Sequence, residues 1–436
     1  MGNSRPPEVS DMAQQKTLPP PTLPPVLHPG PQPLLLHLAL AGQVWLNWPL
    51  LLPSLQQKST GSNIGWSPKL RPSLNALRDR AAKLPPELLA AAMATEGMGR
   101  YQSYLEGVMI YRQHGDKRTL PDVAVVGTFS GSRLLDYAPT LPVAPTVLIV
   151  PSLVNRYHVL DLDAEQSLLR WLVGRGIRPL LVDWGTPSHS DSAMTISDYV
   201  ARLGVMAERA QQLTGGRKLH LLGHCLGGNL ALALTAAKIT AVQSLTLFST
   251  PWDFHAGDRR LGQYAASVWR DLERILPADD LVPAKFVQTL FAVLQPLAVV
   301  EKFRQLACQP PSAANLRRFV LVEDWLNDGV PLTQPVCREI IEEWYGANRP
   351  GRGAWRVGGE LLRPRRVTVP VLVVVAERDH IVPAASAAVL AQQLPCARLL
   401  HLPLGHIGMI VGAQAKDLLW RPVADWIVEQ HKNYKE

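Results

Sequence analysis

Six short runs of this chain are almost uniformly apolar: "TVLIV" (146–150), "RPLLVD" (178–183), "KLHLLG" (218–223), "SLTLF" (244–248), "PVLVVVAE" (370–377) and "ARLLHL" (397–402). A strand with one wet face alternates apolar and polar residues. Uninterrupted apolarity requires cover on both faces, which helices supply over a parallel sheet. Segments of helical periodicity fall between several of these runs, among them "DAEQSLLRWLVGRG" (163–176) and "ISDYVARLGVMAERAQQL" (196–213). From about residue 120 the pattern therefore predicts an α/β domain, a mostly parallel sheet with helices on both faces.

The interval 251–366 breaks this rhythm with helix-like stretches and "EDWLNDGVPL" (323–332). It reads as an inserted, mainly helical cap over the C-terminal edge of a sheet built from 120–250 and 367–436. At the other end, residues 1–33 are crowded with proline and lack the early apolar core of a signal peptide, and Pro6 stands where a myristoylation signal needs Ser or Thr. A disordered or polyproline II tail is expected there. Residues 34–119 read as a helical region. Its first part, "PLLLHLALAGQVWLNWPLLLPSL" (33–55), carries no charge, but Pro49, Pro53, His37, Gln43 and Asn47 argue against a transmembrane span. Two readings stay open for it, a helix packed on the core and an interfacial segment at a lipid or polymer surface. Residues 73–115 read as an amphipathic helix with Leu74, Leu77, Leu84, Leu88 and Leu89 among charges.

Composition excludes some function classes. The net charge of +8 comes from arginines spread along the chain, with no basic block interleaved with aromatics, so nucleic-acid binding is not expected. The four cysteines, Cys225, Cys308, Cys337 and Cys396, form no CxxC pair and have no metal-ligand spacing. This reads as a reducing, cytoplasmic protein with no metal.

Between the strand "KLHLLG" and the helix "LGGNLALALTAAK" lies Gly-His-Cys-Leu-Gly, the G-x-nucleophile-x-G form of a nucleophile elbow. Gly223, Gly227 and Gly228 permit the cramped strand-to-helix turn, which lifts Cys225 to a helix N-terminus. There the helix dipole and free N–H groups favour a thiolate and then an oxyanion. The competing reading is a tight turn with a buried, inert cysteine. A cysteine nucleophile needs a base and an orienting acid downstream, in the order nucleophile, acid, histidine. "VVVAERDHIVP" ends a strand with Asp379, and "LPLGHIGMIVG" places His406 after the last strand. Both loops belong at the C-terminal edge of the sheet, where α/β sites lie. His406 is the expected base and Asp379 the group that fixes its tautomer. His380, next to the acid, either caps the turn or touches substrate. The backbone N–H of Leu226 and one from the Ser152–Val154 turn, Val154 included, are candidate oxyanion donors.

These residues also carry a family resemblance. The box Gly223, Cys225, Gly227, Gly228 has the G-x-C-x-G-G form of the poly(3-hydroxyalkanoate) synthases, members of the α/β-hydrolase superfamily. The likeness extends through "VLIVPSLVNRYHVLDLDAEQSLLRWLVGRGIRPLLVDWGTP" (147–187), "LTLFSTPWDF" (245–254), "ERDHIVP" (377–383) and "GHIGMIVG" (405–412). It implies an α/β-hydrolase fold, Cys225 as nucleophile, His406 as base, and Asp379 as its partner or as a base for an incoming hydroxyl. It further implies a 3-hydroxyacyl coenzyme A substrate with no other cofactor, a polyester granule as the working surface, and a homodimer or a helper subunit.

Cysteine suits that chemistry. Thioester exchange on Cys225 keeps the acyl group activated, whereas serine would trap it as a more stable oxoester. Arg349 and Arg352, with Arg356, Arg363, Arg365 and Arg366, are either contacts for coenzyme A phosphates or a solvated loop. Asp324 and Asp328 are assigned helix-end roles. Two other functions use the same residues or none of them: a thioesterase, esterase or depolymerase with water as acceptor, and a non-catalytic granule-binding protein.

Overall fold

In the computed structural model, which describes residues 26–51, 70–141, 144–238, 242–257, 259–277, 279–294 and 297–433, the apolar runs lie side by side. They form β3 (Thr146–Val150), β4 (Arg178–Asp183), β5 (Leu219–His224), β6 (Val242–Phe248), β9 (Val371–Ala376) and β10 (Ala397–Leu402). Two strands not read from the sequence, β1 (Ala124–Phe129) and β2 (Ser132–Asp136), complete the eight-stranded order β1-β2-β4-β3-β5-β6-β9-β10. β1 and β2 pair antiparallel with each other, β2 pairs antiparallel with β4, and the remaining pairs are parallel.

Helices cover both faces. On one lie α5 (Ile196–Leu213), α6 (Leu226–Ala237) and α12 (Ala384–Gln393); on the other, α4 (Leu168–Gly174) and α14 (Arg421–Lys432). Central strands β3 to β6 and β9 are buried at every position, as uniform apolarity requires. β10, at the sheet edge, keeps several side chains in solvent. Thr195 shows how sequence sets a helix start: its hydroxyl accepts from the Asp198 N–H while the Asp198 carboxylate takes the Thr195 N–H, a reciprocal cap.

Between β6 and β9 come α7 (Arg259–Glu273), α8 (Ala284–Leu294), α9 (Ala298–Cys308), α10 (Ala313–Asn327), α11 (Gln334–Arg338), a π-helical turn Glu339–Gly346 and the small ribbon β7 (Arg356–Val357) and β8 (Glu360–Leu361). Buried tryptophans fasten this cap to the loop after β6. Trp355 meets Trp252 with ring centroids 6.1 Å apart and Trp344 at 4.9 Å, and Phe254 packs on Trp344 at 5.5 Å.

The N-terminal region contributes α1 (Leu34–Trp45), α2 (Arg71–Ala81) and the long α3 (Pro86–Gln113). The sequence suggests one amphipathic helix over 73–115, but Pro85 and Pro86 divide it, since proline cannot continue a helix as a donor. Leu77, Leu84 and Leu88 remain at least half exposed. Of the segment 33–55, α1 packs one face inward through His37, Ala41 and Trp45, while Leu35 and Leu50 stay in solvent; residues 52–55 lie outside the described residues. No helix among the described residues is long and apolar enough to cross a membrane. Most of the expected tail (1–25) also lies outside them, but residues 26–33 differ from that expectation. The Leu27 and His28 amides bond to the Arg112 carbonyl at 2.7 and 3.2 Å, and the His28 ring bonds to Asp324.

The N-terminal region and α9 share a core of their own. Ala41, Trp45, Tyr104, Val108 and Tyr111 pack with Val300, Phe303, Leu306 and Val320. The helices cross so closely that a Cβ on Gly107 would lie 1.8 Å from the Phe303 carbonyl oxygen, whereas one on Gly99, in the same helix, would meet nothing within 4 Å. Gly107→Ala should therefore lower stability by about 1–3 kcal/mol through overpacking. Gly99→Ala should raise it by about 0.5–1 kcal/mol through helix propensity. Urea unfolding of the two variants beside the parent checks both signs.

Candidate active site

Cys225 is the single residue between β5 and α6. Its backbone is left-handed, with φ 53° and ψ −127°, a conformation that costs a residue with a Cβ about 1–3 kcal/mol. Two hydrogen bonds hold it there: its N–H donates to the Phe248 carbonyl at 2.9 Å, and its carbonyl accepts from the Gly228 N–H at 2.9 Å. The glycines do something different from what the motif suggests, for none of the three is among the positive-φ residues. They clear space. A Cβ at Gly223 would stand 2.4 Å from Gly228 Cα, one at Gly227 2.1 Å from the Val150 carbonyl oxygen, and one at Gly228 1.9 Å from Thr250 Oγ1.

The loops after β9 and β10 bring Asp379 and His406 to the same edge. Asp379 Oδ2 accepts from His406 Nδ1 at 2.6 Å, and its Oδ1 accepts from the Ile381 and Val382 amides at 2.9 and 2.8 Å. Both carboxylate oxygens are thus engaged and the side chain is fully buried. Burial alone would raise the Asp379 pKa, but the hydrogen bond and charge of His406 and the two amides hold it below the usual carboxylate value. Cys225 and His406 line the same cavity, close enough for charge on the sulfur to act on the ring. Burial disfavours the imidazolium, yet the charge on Cys225, the hydrogen bond the ring donates to Asp379 and the Asp379 charge outweigh it and raise His406 to about 10. The arrangement can shuttle one proton between sulfur and imidazole while the carboxylate fixes the tautomer.

Sequence reasoning passed over His224, although it occupies the position before Cys225. It is buried, with its ring 5.2 Å from that of His406. Burial and the neighbouring His406 push its pKa down to about 3, against a smaller opposing pull from Asp379, so it packs on His406 as a neutral ring. Tyr345, on the π-helical turn, was also missed; no sequence signal marks it, because only the cap's packing brings it to the cavity. Its phenol is kept neutral by burial and by the charges of Cys225 and Asp379.

Cys225, His224 and His406 open onto a cavity of about 310 Å³ between sheet and cap. Its wall is largely apolar, with Val287, Leu290, Leu332 and Ile341 from the cap. Leu226 lines it at the first turn of α6, and so does His380, exposed at the rim. Val154 lines it too, but its N–H is directed to Ser152 Oγ at 3.4 Å and its carbonyl accepts from the Val330 N–H at 3.0 Å, tying the turn after β3 to the cap. Asn155 and Trp325 add to this join: Asn155 Nδ2 donates to the Trp325 carbonyl, and Trp325 Nε1 to the Arg156 carbonyl. Arg349 and Arg352 do not line the cavity; Arg349 pairs with Glu343 at 3.6 Å and both arginines are exposed. Asp328 follows the end of α10 and pairs with Arg156, in keeping with a helix-end role. Asp324 does not keep the role expected of it. It sits inside α10 and accepts from Tyr111 and His28. Among the described residues no three of His, Cys, Asp and Glu are gathered to hold a metal.

A family profile described as the alpha/beta hydrolase fold matches residues 145–413, from β3 to just beyond the helix α13 (Gly408–Val411) that follows His406. The chain belongs to the α/β-hydrolase fold family. Within it, the chain is similar to proteins named poly(3-hydroxyalkanoate) polymerase subunit PhaC. It is 27% identical to that of Haloferax mediterranei over 65% of this chain and 58% of the relative. For Synechocystis sp. the figures are 29%, 66% and 79%, and for Cupriavidus necator 30%, 65% and 50%. The chain thus spans between half and four fifths of the length of these relatives, and the likeness leaves about a third of it unmatched.

The buried neutral His224 in this α/β-hydrolase site makes a pH prediction. An unfolded histidine takes a proton below about 6.5, while folded His224 resists until about 3. The unfolded state therefore gains the proton first, and stability falls as pH drops through that window. His224→Gln should remove part of the fall. Urea midpoints at pH 7.5 and 5.0 should drop less in the variant than in the parent; equal drops would refute the assignment.

Proposed function

We propose that this α/β-hydrolase is an acyltransferase that polymerises (R)-3-hydroxyacyl coenzyme A into polyhydroxyalkanoate through a thioester on Cys225. The observation that carries the reading is a cysteine at the strained elbow, sharing a cavity with a histidine whose ring donates to a buried aspartate, beneath an apolar cap. The names of the relatives agree with it.

In the loading step Cys225 Sγ attacks the thioester carbonyl and its proton passes to His406, whose Nδ1 stays bonded to Asp379. The Leu226 N–H, at the start of α6, stabilises the oxyanion. Coenzyme A leaves as a thiol, taking the proton from His406, and the acyl group remains on sulfur. In the transfer step the 3-hydroxyl of another hydroxyacyl coenzyme A attacks this thioester, giving its proton to His406. The chain moves onto the new unit and Cys225 is freed with its proton restored. Cys225 then reloads from the lengthened thioester, and each cycle releases one coenzyme A. Asp379, with both oxygens committed to His406 and two amides, acts as the partner of His406 rather than as a base for the hydroxyl.

Exclusion of water decides between transfer and hydrolysis. The apolar cap favours transfer, and the choice of cysteine over serine points the same way, since the acyl-enzyme must hand its group to an alcohol. The granule surface belongs to the same reading, with exposed Leu35, Leu50, Leu77, Leu84 and Leu88 giving the N-terminal region apolar ground for it.

Purified protein given (R)-3-hydroxybutyryl coenzyme A should release free thiol and form insoluble polyester in step. Cys225→Ala should abolish both, a loss of about a thousandfold or more. Thiol release with only free hydroxy acid would make the protein a thioesterase. Asp379→Asn should keep the fold yet lower turnover by about three to four orders of magnitude, because the amide presents a donor to His406 and selects the wrong tautomer. Thiol release timed against the parent checks it.

A further inference from the structure

One part of the wall of the cavity is polar, and it comes from the N-terminal region and the cap. His37 of α1, Lys302 of α9 and Glu323 of α10 line it together. The Lys302 ammonium is hydrogen-bonded to buried Glu323 and also faces the rings of Phe303 and Phe319, 5.5 and 5.9 Å from their centroids. An ammonium has three donors, and Glu323 takes one of them.

His37 is 1% exposed, and its Nε2 lies 3.3 Å from the Gln32 carbonyl. A carbonyl only accepts, so Nε2 carries the hydrogen and Nδ1 keeps its lone pair. Burial lowers the pKa of the ring, the Gln32 hydrogen bond opposes this, and the charge of Lys302 lowers it further, which keeps the imidazole neutral. Nδ1 is itself buried and has no hydrogen-bond partner among the described residues. A buried acceptor with no donor is costly, and native proteins seldom leave one without a use.

We propose that this polar wall is a subsite for the free hydroxyl end of the acyl chain that Cys225 carries. A hydroxyl matches it on both counts, donating to His37 Nδ1 and accepting from Lys302. A carboxylate end has no proton for Nδ1 and meets Glu323 as a like charge. A hydrocarbon end leaves His37 Nδ1 without a donor and gives Lys302 no acceptor beyond Glu323. The apolar walls take the methyl-bearing body of the chain, and the subsite reads its end. The inference rests on the acyl-cysteine reading above and adds to it a preference for chains that end in an alcohol.

The test uses the full chain and two coenzyme A thioesters of a 3-hydroxybutyrate trimer, one with its terminal hydroxyl and one with hydrogen in its place. Single-turnover acylation of Cys225 is followed by thiol release and intact mass. The parent should half-saturate at about tenfold lower concentration with the hydroxyl trimer, the ratio expected for one well-placed hydrogen bond. His37→Phe should bring the ratio to within about twofold, and a circular dichroism spectrum and urea midpoint close to the parent's show that the variant is folded. Equal half-saturation in the parent, or a preference retained in His37→Phe, overturns the subsite and leaves the acyl-cysteine reading standing. Failure of both trimers to acylate the parent overturns that reading and the subsite with it. Should His37→Phe not fold, Lys302→Met decides the matter by the same ratio, lost if the subsite exists and kept if it does not.

Discussion

Everything at this site depends on backbones approaching closer than side chains allow. α6 begins against the ends of β3 and β6, with the Gly227 backbone at the Val150 carbonyl and Gly228 at Thr250. That closeness fixes Cys225 between two hydrogen bonds in a conformation it would not choose. The strain is local, and the sheet sustains it through the Phe248 carbonyl. A strained residue of this kind persists only where its surroundings over-determine it. Here the strand that follows α6 and the helix itself do so together.

Above the sulfur, the cap is joined to the sheet by two unlike means. Tryptophans 252, 344 and 355 bury a large apolar area behind it, and the turn after β3 ties it in front through Asn155, Arg156 and Val154. The stretch "PSLVNRYHVL" is thus explained by its neighbours. Its backbone and its asparagine bond to α10 and to the residues that follow it, and its arginine pairs with Asp328. The cavity lies between these two joins. Its wall is largely apolar by area, with polar side chains at Cys225, His224 and His406 and at His37, Lys302 and Glu323 among its lining.

The central strands were legible because burial on both faces leaves a plain apolar signature, and the bounds of β3, β4, β10 and α5 agree with the sequence reading residue for residue. β1 and β2 were not, since "AVVGTF" and "SRLLD" form an antiparallel hairpin at the sheet edge whose first strand is half in solvent. The three residues of the elbow cluster could be named from their order along the chain, because topology sends the ends of β5, β9 and β10 to one edge. His224 was available to the same reasoning and was overlooked. The break at Pro85 and Pro86 was likewise written in the sequence. Nothing of the kind announces His37 beside Lys302: residues 265 positions apart meet only because α1, α3 and α9 pack together. The assignment of Asp324 failed for the same reason, its partners His28 and Tyr111 being far away in sequence.

The separate core formed by Tyr104, Val108, Tyr111, Phe303 and their neighbours has an evolutionary consequence. Among the described residues it shares none with the two cores that flank the sheet. Substitutions in it fall outside the cluster that packs around the elbow, and energies of substitutions with no shared partners add rather than couple. The N-terminal side of the cavity can therefore drift in sequence, altering its shape, while the thiol, imidazole and carboxylate stay in register. Selection can reshape the space above the elbow without disturbing the elbow itself.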